Sequence, residues 1–177
     1  GFIPVNEPLL DGNEKKYLNE CIDTGWISAN GRFVSEFEKR FAEFCGTKYA
    51  LTCANGTVSL HLILAAMGIG PGDEVIMPAL TYIATANAVR YCGATPIFVD
   101  SDEETFNIDV HKIEEKLTSH TKAIMPVHLY GLPADFAPLL ELSETYGIPV
   151  IADAAEAHGA QYHGQRVGGF GLAASLS

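Results

Sequence analysis

From residue 47 onward, short apolar runs alternate with stretches that carry apolar residues at helical spacing. The runs Tyr49–Cys53, Glu74–Met77, Pro96–Val99, Ala123–Val127 and Pro149–Ala152 predict strands. Between them the spacing predicts helices over 57–67, 82–91, 109–117 and 135–146. Repeated strand–helix units fold as a mostly parallel sheet flanked by helices, which makes this an α/β chain. Gly68 and Gly147 sit just past two of these helices, where a left-handed cap requires glycine. Asp135 stands as an N-cap ahead of Phe136, Leu139, Leu140 and Leu142.

The first 46 residues read differently, as a helical and loop segment. Asp11 with Glu14 fits a capping box for a helix near 12–23. Phe33, Phe37, Phe41 and Phe44 form a stripe at helical spacing, which is a packing pattern. Between the two helices lies the polar loop Thr24–Gly31, which holds Trp26, Ser28 and Asn30. Beyond Gly159, residues 160–167 predict a hairpin turning at His163-Gly164, and Ala173–Leu176 begins a further strand. A domain seldom stops on a fresh strand. The expectation is therefore that residues 1–177 form part of a larger domain.

Composition removes several function classes. The net charge of -11 comes without clustered Lys or Arg, which argues against nucleic-acid partners. The four cysteines show no C-x-x-C spacing, so reduced thiols in a cytoplasmic protein are expected rather than zinc or disulfides. Gly1–Glu7 lacks the basic flank and apolar core of a signal peptide. No apolar run approaches the length of a membrane span.

Chemistry concentrates at the predicted C-terminal ends of the strands. Asp153 closes the apolar run that begins at Pro149, and a buried ionised carboxylate needs a partner. Asn55-Gly56-Thr57 opens an apolar helix, where free N–H groups attract anions and glycine lets a phosphate approach. The run matches neither Walker A nor G-x-G-x-x-G, so ATP and NAD are not favoured. Tyr82 could stack on an aromatic ligand or serve as a rim tyrosine. His128 reads equally as a ligand contact or as a satisfied core histidine.

All four features fall at the edge where open α/β sheets bind ligands, so one crevice should gather them. An anion cradle, an aromatic platform and a buried carboxylate suit a phosphorylated heteroaromatic cation, and pyridoxal 5'-phosphate fits that description. Metal binding is the competing account of Asp153, Glu156, His158 and His163. Their spacing matches no standard ligand motif, so no metal is expected.

Four runs carry a family resemblance: Gly25–Ser28, Gly70–Ile76, Gly93–Pro96 and Asp153–Ala160. With them the chain resembles the DegT/DnrJ/EryC1/StrS sugar-nucleotide aminotransferases, within the fold type I pyridoxal-phosphate enzymes. The runs Leu10–Glu14, Met67–Gly70 and Val127–Gly131 narrow the likeness to one subgroup.

The resemblance implies the N-terminal part of a fold type I large domain. It also implies cofactor-binding roles: Gly56 and Thr57 on the phosphate, Tyr82 over the ring, Asp153 at the ring nitrogen and Glu156 near the ring hydroxyl. Ser177 matches a serine that adds a phosphate hydrogen bond, and the Schiff-base lysine would follow it. Trp26, Ser28 and His128 would lie towards the sugar substrate. Leu172 and Leu176 depart from the family pattern, which usually has Asp and an aromatic there.

By the same resemblance the protein would aminate a nucleotide-linked 4-keto-6-deoxy sugar, with glutamate as donor, as a homodimer without nucleic-acid or membrane partners. A sugar 3-dehydratase on the same scaffold is one alternative. A catalytically inactive, cofactor-binding or dimerising fragment is the other.

Overall fold

The computed structural model describes residues 2–4, 7–28 and 31–177. Five strands lie parallel in the order β2-β1-β3-β4-β7. They are β1 (Glu74–Pro78), β2 (Thr95–Val99), β3 (Thr121–Ile124), β4 (Ile151–Asp153) and β7 (Ala173–Ser175). Ladders join β2, β1 and β3, and another joins β4 to β7. Parallel bridges Ile124–Val150 and Val127–Asp153 connect the two groups. Pro126 has no N–H to give a ladder, so β3 ends earlier than its apolar run suggests.

The sheet is buried on both faces, and alternation along the strands divides its core in two. Val75, Met77, Ala123, Met125 and Ile151 pack with Leu60 and Leu64 of α3 (Gly56–Ala66) and Ala88 and Val89 of α4 (Ile83–Tyr91). Ile76, Val99, Ile124, Val150 and Ala152 point the other way, onto Phe136 and Leu139 of α5 (Phe136–Tyr146). β2 is the edge, which tolerates Pro96 and leaves Phe98 half exposed. The chain runs from β1 to β2 on one side, then crosses to β3 on the other. Such a reversal opens a crevice outside the strands' C-terminal ends.

Ahead of the sheet, α1 (Glu14–Thr24) and α2 (Arg32–Cys45) place the phenylalanine stripe along one helix. Phe41 stacks between Phe37 and Phe44, with centroid distances of 5.1 and 5.9 Å. The expected capping box at Asp11 does not form. Asn13 is the N-cap, so Glu14 is the first helical residue and cannot reach back three positions.

Three other expectations change. Residues 49–53 form no strand, because the segment has no pairing neighbour among the described residues and Tyr49 and Leu51 stay exposed. The helix expected over 109–117 becomes two 3-10 turns, Val110–Lys112 and Glu114–Lys116. Asp109 caps the first through His111 N at 3.1 Å, and buried Ile113 anchors the junction. Asp135 does precede α5, but its carboxylate accepts the Tyr162 hydroxyl, whose oxygen accepts Ala137 N–H at 3.1 Å. The cap is thus relayed through a tyrosine.

That tyrosine comes from the hairpin of β5 (Gln161–Tyr162) and β6 (Gln165–Arg166). His163 at φ 48° and Gly164 at φ 82° give its turn two left-handed residues, as a two-residue hairpin loop requires. Gly147 closes α5 at φ 66°.

Candidate active site

Asp153 ends β4 with only 5% of its surface exposed. Its Oδ2 accepts the Thr85 hydroxyl at 2.7 Å, and its Oδ1 accepts Ala155 N–H at 3.2 Å. Both donors are neutral. Burial pushes the carboxyl above its ordinary range, the two hydrogen bonds pull it down, and the charge of Glu156 pushes it up again. A carboxylate in that position suits a cation it does not yet have among the described residues.

Tyr82 is the N-cap residue of α4, and the residue is 74% exposed at the same edge. Thr85, one turn into that helix, is fully buried. Its Oγ1 lies 3.1 Å from the Tyr82 carbonyl and 2.7 Å from Asp153 Oδ2, two acceptors that compete for its single proton. Sequence reasoning missed Thr85. Its only sequence signal is a lone threonine among the alanines of an apolar helix.

A second group of candidate residues gathers at the start of α3. Asn55 caps it through Val58 N–H at 3.0 Å. Gly56 N–H donates to Ser177 Oγ at 3.1 Å, and Ser175 Oγ lies 3.3 Å from the Gly56 carbonyl. A Cβ on Gly56 would come within 2.7 Å of Ser177 Cβ, so this approach needs glycine. Thr57, half-buried beside it, completes the group.

Glu156 is exposed, and its Oε2 accepts the N–H of Tyr130 at 2.6 Å. Tyr130 is left-handed at φ 50°, an uncommon conformation for a residue with a side chain, and Glu156 braces it. Asn107 holds the same turn from the other side, donating to the Leu132 carbonyl at 3.0 Å and accepting Leu129 N–H at 3.1 Å.

His128 is a correction. Its side chain has no exposed surface, and its Nδ1 accepts Ala134 N–H at 3.0 Å. A ring sealed in the core holds the turn after β3 and offers a sugar no contact. Trp26 and Ser28 are also placed apart from the cofactor candidates. They line a separate groove between α1 and α2, with Leu18, Cys21 and Phe33. Asn30 lies outside the described residues. The larger cleft, about 640 Å³, borders α3 and includes Asn55, His158 and Ser177, while Tyr82, Thr85 and Asp153 stand outside its lining.

Among the described residues no helix is long and apolar enough to cross a membrane. The family model described as the DegT/DnrJ/EryC1/StrS aminotransferase family matches residues 8–177. The chain belongs to this family. It is 59% identical to the GDP-perosamine synthase of Caulobacter vibrioides over 175 residues, covering 99% of this chain and 47% of that protein. Leu10–Glu14, Met67–Gly70 and Val127–Gly131 are the runs that point to the same subgroup.

The aminotransferase from Psychrobacter cryohalolentis has a similar structure, with a TM-score of 0.89 at 39% identity, covering 93% of this chain and 42% of that one. NtdA from Bacillus subtilis, solved with bound cofactor PMP, matches with a TM-score of 0.81 at 39% identity, covering 85% of this chain and 34% of that one. The chain spans about half the length of the curated relatives it matches.

Proposed function

We propose that the full protein uses pyridoxal 5'-phosphate to transfer an amino group from glutamate to a nucleotide-linked 4-keto-6-deoxy sugar. The observation that carries this reading is Asp153, a buried carboxylate whose donors among the described residues are all neutral, at the C-terminal edge of a parallel sheet. Its unbalanced charge matches a protonated ring nitrogen. The cofactor, when bound, supplies an electron sink for carbanion chemistry.

The residues of this chain then divide the work. Asp153 keeps the proton on the ring nitrogen. The Thr57 N–H and the Ser177 hydroxyl would take the phosphate at the positive end of α3, while Gly56, whose N–H donates to Ser177 Oγ, lets it approach the backbone. Tyr82 covers one face of the ring. Glu156 has Oε1 left for the ring hydroxyl while Oε2 holds Tyr130. The covalent lysine is proposed to follow Ser177 in the full protein. Trp26 and Ser28, in their separate groove, would serve the sugar in a homodimer whose partner completes the site.

The likeness to GDP-perosamine synthases favours a GDP-linked sugar, and surface-polysaccharide synthesis in the cytoplasm is part of the same proposal. The test is to add pyridoxal 5'-phosphate to the full protein and assay a panel of GDP-, dTDP- and UDP-linked 4-keto sugars. The expected result is a visible absorption band that borohydride abolishes, with amino transfer fastest on the GDP sugar. A protein that gives neither band nor transfer would refute the reading.

A further inference from the structure

Thr85 Oγ1 has three oxygen neighbours: Asp153 Oδ2 at 2.7 Å, Thr81 Oγ1 at 2.8 Å and the Tyr82 carbonyl at 3.1 Å. A hydroxyl carries one proton and accepts through its lone pairs. Either the carboxylate or the carbonyl can receive that proton. The carboxylate is both nearer and charged, so it forms the stronger bond. Thr81 then supplies its own proton to Thr85. Two hydroxyls in series thus end on Asp153.

The consequence is orientation as well as charge. With Thr85 on Oδ2 and Ala155 N–H on Oδ1, the carboxylate plane is held from both ends. Oδ1 still has acceptor capacity, because an ionised carboxylate offers about four lone-pair sites. Threonine suits the task, since its hydroxyl favours the ionised partner without titrating or carrying charge itself.

We propose that Thr85 is a positioning residue of the cofactor site, whose hydroxyl keeps Asp153 ionised and fixes its carboxylate plane for pairing with a cationic ring nitrogen. The inference rests on the cofactor reading above. Burial and the charge of Glu156, which faces Asp153 from the turn after β4, both favour the neutral acid. Only Thr85 and Ala155 N–H oppose them. Loss of the Thr85 hydroxyl therefore protonates Asp153 at higher pH and frees its plane to rotate.

The test compares Thr85→Val, which keeps the shape, with Thr85→Ser, which keeps the hydroxyl, in the full protein. Two quantities are read: the carbon-13 carboxyl titration of Asp153 without cofactor, and the dissociation constant of pyridoxal 5'-phosphate. In Thr85→Val the titration should rise by about one pH unit or more, and cofactor affinity should fall roughly tenfold. Thr85→Ser should stay within about twofold of wild type. Should the valine variant not fold, Thr81→Val must give a smaller shift in the same direction. An unchanged titration in the folded variant, or a shift without loss of affinity, overturns the proposal. Wild-type protein that fails to bind the cofactor sinks the functional reading instead, and the titration still decides whether Thr85 controls Asp153.

Discussion

His128 Nδ1 accepts the N–H of Ala134 at 3.0 Å inside a core that hides the whole imidazole. The neutral ring must then carry its proton on Nε2, which has no hydrogen-bond partner among the described residues. Protonating Nδ1 would break the Ala134 bond and bury a charge. Burial accordingly lowers the His128 pKa from 6.5 to about 4.

The sign of the pH effect follows. Between these values the unfolded chain binds the proton and the folded one does not, so stability rises with pH through the window. It is fully present above about 6.5 and lost as pH falls towards 4, and it amounts to roughly 3 kcal/mol. Urea unfolding of the full protein across this range should show the loss, and His128→Asn should flatten it. An equal slope in both proteins would contradict the assignment.

Phe136 is the second anchor of that region. It is fully buried, stacks on Phe170 at 4.8 Å and tilts against His128 at 5.3 Å. Phe136→Ala should cost about 3–5 kcal/mol of stability through lost burial and the cavity left behind. Chemical denaturation measures this directly. A loss under ~1 kcal/mol would show that the site collapses around the missing ring.

Gly56→Ala tests the phosphate role proposed for the start of α3. The new methyl would meet Ser177 Cβ at 2.7 Å, so one of the two elements must move. Pyridoxal 5'-phosphate should bind roughly 5- to 150-fold more weakly, since crowding of this kind typically costs about 1–3 kcal/mol. Pyridoxal, without the phosphate, should be affected much less. Equal losses for both ligands would place the phosphate elsewhere.

Much of this arrangement was legible in the sequence because strand and helix periods differ. Val75-Ile76-Met77 reads as a buried strand, and the ends of β1 and β4 bring Tyr82 and Asp153 to one edge, whereas no strand leads into Gly56. What was not legible depends on partners distant in sequence. Tyr49–Cys53 has strand composition but no neighbour to pair with, and composition cannot supply one. Asp135 loses its cap to Tyr162, 27 residues away. Thr85 meets Asp153 across 68 residues, and no local pattern announces that meeting. For His128 the sequence offers a ligand contact or a satisfied core histidine; burial puts the ring in the core, with Nε2 lacking a partner among the described residues.

Glu156 braces Tyr130 in its left-handed conformation. Glu156→Ala should speed hydrogen exchange at the Tyr130 N–H, because that amide loses its acceptor and the strained turn opens more often. Glu156→Gln keeps an acceptor oxygen and should exchange nearly as slowly as wild type. Fast exchange in both variants would mean that charge, rather than the hydrogen bond, holds the turn.

Asp153 is the proposed partner of a ring-nitrogen proton, and Asp153→Asn probes that role with little change in volume. A neutral amide cannot hold that proton in place. Steady-state amino transfer by the full protein, with cofactor saturating, should fall by roughly a hundredfold or more in this variant while the thermal unfolding midpoint stays near wild type. Turnover close to wild type would contradict the role assigned to Asp153 and, with it, the central claim.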